Sequence, residues 1–348
     1  MKIENYLIGK NYPVFIIAEL SANHNGSIDI AIDTIKAAKR AGANAIKLQT
    51  YTPDTITLDS KKADFKITQG TIWDGKYLHD LYKEAFTPWD WHEKLYAIAT
   101  NEGLACFSSP FDKTAVDFLE KLNTPAYKIA SFEVTDIPLI EYIASKGKPI
   151  IISTGIAETY DIELALDACR RMGNYDIALL KCTSSYPAPL EEANLIMVKD
   201  MSERFGVIAG LSDHTIGSTA PIVATVFGAK IIEKHFILDR SIGGPDASFS
   251  MNEPEFTEMV KLVRDAEKAI GSIDYNLTEK QIQGRNFCRS LYVTDTIEQG
   301  DVLTEKNIRS VRPGYGLHPN YYNSILGKKV KKKLLYGDRL ALDDIEIN

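Results

Sequence analysis

Long apolar runs are missing from this chain. No hydrophobic stretch approaches bilayer-spanning length, and Met1-Lys2-Ile3-Glu4 leads into no apolar signal core. Neither a membrane span nor a secretory leader is expected. Cysteine is scarce: Cys106, Cys169, Cys182 and Cys288 are the four, at no paired spacing. That argues against a disulfide framework and for free thiols in a reducing cytoplasm. Positive charge is not in excess either. With a net charge of −7, no general affinity for nucleic acid is implied. No Gly-x-Gly-x-x-Gly follows the first apolar run, which weakens the case for a dinucleotide-binding open sheet.

What the chain does have is ordinary globular composition: 348 residues, 45% hydrophobic and 25% charged. That is enough for one large domain and a small one. Val14–Ala18 is a continuous apolar run, expected as a strand buried on both faces. Similar runs recur at Ala45–Thr50, Leu104–Ser109, Ala126–Ser131, Pro149–Thr154, Ile177–Thr183, Val207–Ser212 and Lys230–His235. Helical stripes follow most of them: Ile28, Ala31, Ile32, Ile35 and Ala38 behind a Ser27 cap, and Phe256 to Ile270 before Gly271. Eight strands alternating with helices predict an α/β protein built on a TIM (β/α)8 barrel, with a doubly wound sheet as the alternative. The expected division is a barrel at 1–271, a polar linker at 272–288 and a small β-rich domain at 289–348. Within the last, Thr296–Leu303 and Lys333–Leu340 repeat a pattern with Gly-Asp at its turn. Two connections, Tyr51–Phe86 and Ile237–Asn252, are too long for plain turns and read as rim loops.

A barrel carries its chemistry at the C-terminal ends of its strands. Here those ends offer Glu19, Lys47 and Gln49, Ser109, Lys128, Ser131 and Glu133, Ser153, Lys181 and Tyr186, Ser212 and His214, and Glu233 and His235. Lysines inside apolar strands are costly unless paired or bound to an anion. Lys47 and Lys128, with hydroxyls beside them, suit a small, multiply charged anion such as a phosphate ester. His214 and His235 each end a strand of one βαβ unit, so both leave the sheet at one edge and are candidate ligands of a single divalent metal. Each is equally readable as a satisfied polar residue. Glu19 and Glu133 are candidates for proton transfer, or for salt bridges to the lysines. A Schiff-base aldolase and a metal-dependent sugar aldolase or isomerase use overlapping residues. A carbohydrate- or ice-binding protein is suggested by the tail alone.

The ordered motifs resemble the sialic acid synthase family over nearly the whole chain. They include Ala18-Glu19-Leu20-Ser21-Ala22-Asn23-His24, Ile46-Lys47-Leu48-Gln49-Thr50, Ser108-Ser109-Pro110-Phe111-Asp112, Cys182-Thr183-Ser184-Ser185-Tyr186-Pro187, Gly210-Leu211-Ser212-Asp213-His214 and Glu233-Lys234-His235-Phe236. The tail, with Val311-Arg312-Pro313-Gly314-Tyr315-Gly316-Leu317, resembles that family's antifreeze-like (SAF) domain. Thr71-Ile72-Trp73-Asp74 and Thr87-Pro88-Trp89-Asp90-Trp91-His92 look like its pseudaminic acid synthase branch. N-acetylneuraminate and legionaminate synthases are the near alternatives.

The resemblance implies a transferase that joins phosphoenolpyruvate to an open-chain acylated amino sugar, here 2,4-diacetamido-2,4,6-trideoxyaltrose, and releases phosphate. By the same resemblance, Lys47, Ser109, Lys128, Ser131, Ser153 and Ser212 hold phosphoenolpyruvate. Tyr186, Asp246 and Arg312 contact the sugar, and His214 and His235 hold Mn²⁺ or Mg²⁺. Glu19 or Glu133 moves protons. A domain-swapped cytoplasmic homodimer is implied, with Arg312 serving the partner's site.

Overall fold

The structure, a computed structural model, describes residues 1–346. The last two residues of the expected 289–348 domain therefore lie outside the described residues. By contacts the chain divides into two compact units, Met1–Gly271 and Ser272–Asn348.

The first unit opens with an antiparallel hairpin of β1 (Lys2–Ile3) and β2 (Tyr6–Leu7). Then β3 (Phe15–Glu19), β4 (Ala45–Thr50), β5 (Ala105–Pro110), β6 (Tyr127–Ile129), β7 (Ile150–Ser153), β8 (Ile177–Cys182), β9 (Ile208–Asp213) and β10 (Ile231–His235) follow in order. They close a barrel in which β10 returns to β3. Every pairing around it is parallel. Closure decides for the barrel over the open sheet.

Because strand side chains alternate, each apolar run fills two cores. Phe15, Ile17, Ala45, Phe107, Ile151, Leu180 and Ile231 pack inside the barrel, and Ile3 and Ile8 of the hairpin region close its floor. Ile16, Ala18, Ile46, Leu48, Ile150, Ile152, Leu179 and Leu211 face outward into the helical layer. The inner cluster ends where the C-terminal ends of the strands turn polar. That transition sets the level of the site.

Local chemistry explains where the helices start. Ser27 accepts from the Ile30 amide ahead of helix Ile28–Arg40, and Asp136 accepts from Leu139 ahead of Ile137–Ala144. Asn252 and Glu255 form a reciprocal capping box at Glu253–Ile270. That helix buries Phe256, Met259 and Val263, but the expected stripe stops there: Ile270 is exposed.

Strand β6 also stops short. Ser131 was expected on it, but Ser131–Glu133 forms a 3₁₀ turn. Both long connections are structured. The first holds helices Pro53–Ile56 and Leu78–Ala85 and a Lys66–Tyr77 bridge. The second pairs Phe236 with Met251.

In the second unit, the polar stretch expected as linker forms helix Glu279–Gly284. Strands β11 (Ser290–Val293) and β12 (Ile308–Val311) are antiparallel. The sequence repeat is a structural repeat, and its two copies pair with each other. Ile297 and Leu334 exchange both backbone hydrogen bonds, each 2.9 Å. Asp301 accepts from the Glu298 amide at 3.1 Å, and Asp338 accepts from Leu335 at 2.7 Å. Gly300 and Gly337 take φ of 89° and 87°, a left-handed turn position that disfavours a side chain. Leu291, Val293, Ile297, Leu303, Val330 and Leu334 form this unit's own core.

Candidate active site

At the C-terminal end of the barrel a buried charge cluster sits directly above the apolar core. Lys47 lies between two glutamates, its Nζ 2.8 Å from Glu19 Oε2 and 3.0 Å from Glu233 Oε1. The Glu19 contact is an ion pair too far off-axis to count as a hydrogen bond. Ser212 donates to Glu233 Oε1 at 3.0 Å. Burial pushes the Lys47 ammonium down to about 8, against the pull of Glu233. Glu233 is held below the usual carboxylate range, because Lys128 and Lys47 outweigh the cost of its burial. Lys128 differs from Lys47: it donates to Ser153 Oγ at 2.6 Å and to the Ile129 carbonyl at 3.0 Å, with no carboxylate among its hydrogen-bond partners.

Beside Lys128 lies a small cradle. The Gly155 amide donates to Ser131 Oγ at 3.1 Å. A Cβ on Gly155 would collide with Ser184 Oγ, and it would come within 2.8 Å of Ser131 Oγ and 3.1 Å of Cys182 Sγ. Only glycine leaves these three groups room to converge. Ser109 is buried nearby in the chain's strand-end layer, and its hydroxyl has no partner. Glu133 also has a partnerless oxygen, and burial pushes its carboxyl up to about 7.

His214 and His235 do converge, with ring centroids 5.3 Å apart. His214 Nδ1 is 2.9 Å from the Thr183 carbonyl. A carbonyl only accepts, so Nδ1 carries the hydrogen and Nε2 keeps the free lone pair. His235 Nδ1 has no hydrogen-bond partner and lies 3.8 Å from Asp246 Oδ2. Burial, with the neighbouring His214, holds the His235 ring well below its ordinary value, so it is a neutral imidazole. At His214 burial acts in the same direction, but the Cys182 sulfur 3.7 Å away raises its affinity for a proton. A metal at His214 Nε2 would compete with a proton for that lone pair. The donor set fits a divalent ion held by two imidazoles. Among the described residues no group of three or more His, Cys, Asp or Glu side chains could hold one by itself. Water and substrate oxygens would therefore complete the shell.

Around the histidines stands an aromatic wall. The Tyr186 ring is 4.3 Å from His214, and Phe249 is 5.0 Å from His235. Trp73, from the first long connection, is 5.4 Å from Tyr186 and donates its indole N–H to the Pro245 carbonyl at 3.2 Å. Asp246 is buried, and Ser21 donates to it at 2.5 Å.

Thus the barrel mouth gathers Glu19, Lys47, Ser109, Lys128, Ser131, Glu133, Ser153, Tyr186, Ser212, His214, His235 and Asp246. Arg312 belongs to the second unit, where it is exposed just after β12. Lys181, expected at the mouth, is on the outer face. The inner residues of β8 are Ala178, Leu180 and Cys182, and Lys181 alternates with them. Gly155 and Ser184 stand among the strand-end residues of the sequence but carry no assigned role there, and the Ser21 hydroxyl is missed. The signal for the first two was their place beside strand ends; for Ser21 it was a polar side chain two residues past Glu19. A surface cleft of about 830 Å³ lies elsewhere, lined by Tyr6, Tyr12, Asn44 and Arg264 at the floor end. It shares no residue with this cluster.

The NeuB family model matches residues 34–275, and the SAF domain model matches residues 289–346. The chain is 48% identical to the pseudaminic acid synthase of Campylobacter jejuni over 346 residues, covering 99% of this chain and 100% of that one. It is also 48% identical to the pseudaminic acid synthase of Helicobacter pylori, covering 96% of this chain and 98% of that one. Among solved structures, the N-acetylneuraminic acid synthetase of Leptospira borgpetersenii superposes with a TM-score of 0.73 at 30% identity, covering 82% of this chain and 96% of that one.

Proposed function

The chain belongs to the NeuB family, the sialic acid synthases, and from that premise we propose that it catalyses the pseudaminic acid synthase reaction. Carbon 3 of phosphoenolpyruvate bonds to the aldehyde carbon of 2,4-diacetamido-2,4,6-trideoxyaltrose, water adds at carbon 2, and phosphate leaves with cleavage of its C–O bond. One observation carries this reading. Ser109 Oγ, Glu133 Oε2, Glu233 Oε2 and His235 Nδ1 are buried polar atoms without hydrogen-bond partners, all at one barrel mouth beside two lysines. Such atoms are costly unless a ligand answers them.

In this reading Lys128 meets the phosphate, since no carboxylate pairs with its ammonium. Ser131, Ser153, Ser109 and the Gly155 cradle orient the anion. Lys47 holds Glu19 and Glu233 as carboxylates and, with Ser212, keeps them from repelling the substrate. Glu133, pushed up to about 7, suits a group that takes and returns a proton near neutral pH, and we assign it the proton transfer at the carbon that water attacks. Glu19 is bound to Lys47 and is the weaker candidate. His214 and His235 would hold Mn²⁺ or Mg²⁺, which when bound supplies Lewis-acid polarisation of the sugar aldehyde. Tyr186 and Asp246 line the sugar side. The reading includes a cytoplasmic location, where phosphoenolpyruvate is available, and a domain-swapped homodimer in which Arg312 of one protomer reaches the sugar of its partner. Among the described residues no helix is long and apolar enough to cross a membrane.

Phosphate release tests it. Turnover is expected with phosphoenolpyruvate and the trideoxyaltrose and not with N-acetylmannosamine. Preference for N-acetylmannosamine, or for the legionaminate precursor, would overturn the substrate assignment.

A further inference from the structure

Ser21 carries a backbone cost that its fold position does not require. It is buried, its φ is +45°, and it is not glycine. Non-glycine residues enter this left-handed region only when the surroundings hold them there, and such strain gathers at functional sites. The side chain gives the reason. Ser21 Oγ donates to Asp246 Oδ2 at 2.5 Å and accepts from Gln49 Nε2 at 3.0 Å. Gln49 in turn donates to Glu19 Oε1 at 3.2 Å. One hydroxyl thus links the charge cluster of Lys47 and Glu19 to Asp246, a loop carboxylate 3.8 Å from His235.

Two further residues of the same turn hold the same loop. Asn23 donates to Ser250 Oγ at 2.8 Å and to the Phe236 carbonyl at 2.9 Å, and Asn25 donates to the Ile242 carbonyl at 2.9 Å. Ser21, Asn23 and Asn25, at every second position, latch residues 236–250 to the end of β3. Asn23 and Asn25 bind backbone or the loop's own hydroxyl. Ser21 alone grips a side chain that faces the mouth.

We propose that Ser21 is a positioning residue for the acceptor sugar, fixing the Asp246 carboxylate beside the histidines through a hydroxyl presented from a strained backbone. This rests on the reading of Asp246 as a sugar contact. Glycine would relieve the backbone at this position and alanine would not; both remove the hydroxyl. The pair therefore separates stability from function.

The experiment compares wild type, Ser21→Gly and Ser21→Ala by thermal unfolding, by steady-state kinetics in both substrates, and by amide hydrogen exchange of residues 240–250. Ser21→Gly should melt about 2–4 °C above Ser21→Ala. Both should raise KM for the sugar about tenfold, leave KM for phosphoenolpyruvate within about twofold, and speed exchange in the loop to the same degree. Wild-type KM for the sugar in Ser21→Gly would overturn the proposal, as would sugar KM that follows melting temperature across the three proteins. Failure of the wild type to use any amino sugar overturns the functional reading instead. Loop exchange then still decides whether Ser21 holds Asp246 in place.

Discussion

At the mouth of the barrel, individual side chains are held in states that water would not give them, and Glu133 shows it most simply. Burial lifts its carboxyl from 4.5 to about 7. The folded protein keeps this proton where the unfolded chain has lost it, so stability is full below about 4.5 and falls as pH rises to about 7. The cost above that window is on the order of 3–4 kcal/mol. Glu133→Gln should therefore raise the melting temperature at pH 8 and leave it little changed at pH 4.5. A gain independent of pH would show that the carboxyl titrates normally. The same substitution should lower kcat by about 10²–10⁴ and remove the limb of the kcat/KM profile near pH 7. For the histidines, His214→Ala or His235→Ala should reduce kcat at least about a thousandfold and weaken Mn²⁺ binding in calorimetry. Unchanged binding heats would dismiss the metal role.

These groups were legible in sequence because a lysine, histidine or glutamate closing an apolar run has few places to go. Lys181 met the same description and faces outward, since the run alone does not say which alternate residue is inside. Ser21 was overlooked because its importance lies in a dihedral angle and a partner 225 residues away.

Among the elements, strand existence and order followed from the apolar runs and the helices between them, and only the ends moved by a residue or two. Ser131 left β6 because the short strand gives way to a 3₁₀ turn, which is what brings its hydroxyl to Gly155. Two glycines of the barrel unit illustrate how differently elements tolerate a methyl group. At Gly155 the obstructing atoms are mainly hydroxyls that can rotate, so Gly155→Ala should barely change the melting temperature but should raise KM for phosphoenolpyruvate at least about tenfold. At Gly210, an inner residue of β9, the obstruction is the Ile231 backbone carbonyl, with Leu180 Cδ2 at 2.7 Å. Backbone cannot step aside. Gly210→Ala should cost about 1–3 kcal/mol and lower the melting temperature by about 3–8 °C. The reverse pattern, a fragile Gly155→Ala and a robust Gly210→Ala, would refute the cradle. The turns of the second unit were readable as well, because Gly-Asp recurs at matched positions. Their mutual pairing was not, since no local pattern states which turn meets which.

For the whole molecule, the proposed exchange of Arg312 between protomers has a direct test. His235→Ala and Arg312→Ala chains should each be inactive with the sugar at ordinary concentrations. Mixed after mild dissociation, they should regain up to about a quarter of wild-type activity, because a mixed dimer owns one intact site. No recovery, in dimers shown by mass to be mixed, would place Arg312 in its own chain's site.

The sealed floor has its own consequence. Ile3 and Ile8, with Phe15, Ile17 and Ile231, stop the lower end of the barrel with hydrocarbon, so the chamber is a cul-de-sac. In the proposed reading, phosphoenolpyruvate at Lys128 and Ser153 is expected to bind before the sugar at Tyr186 and Asp246. Product-inhibition patterns should then read as compulsory sequence, and random access would refute that order.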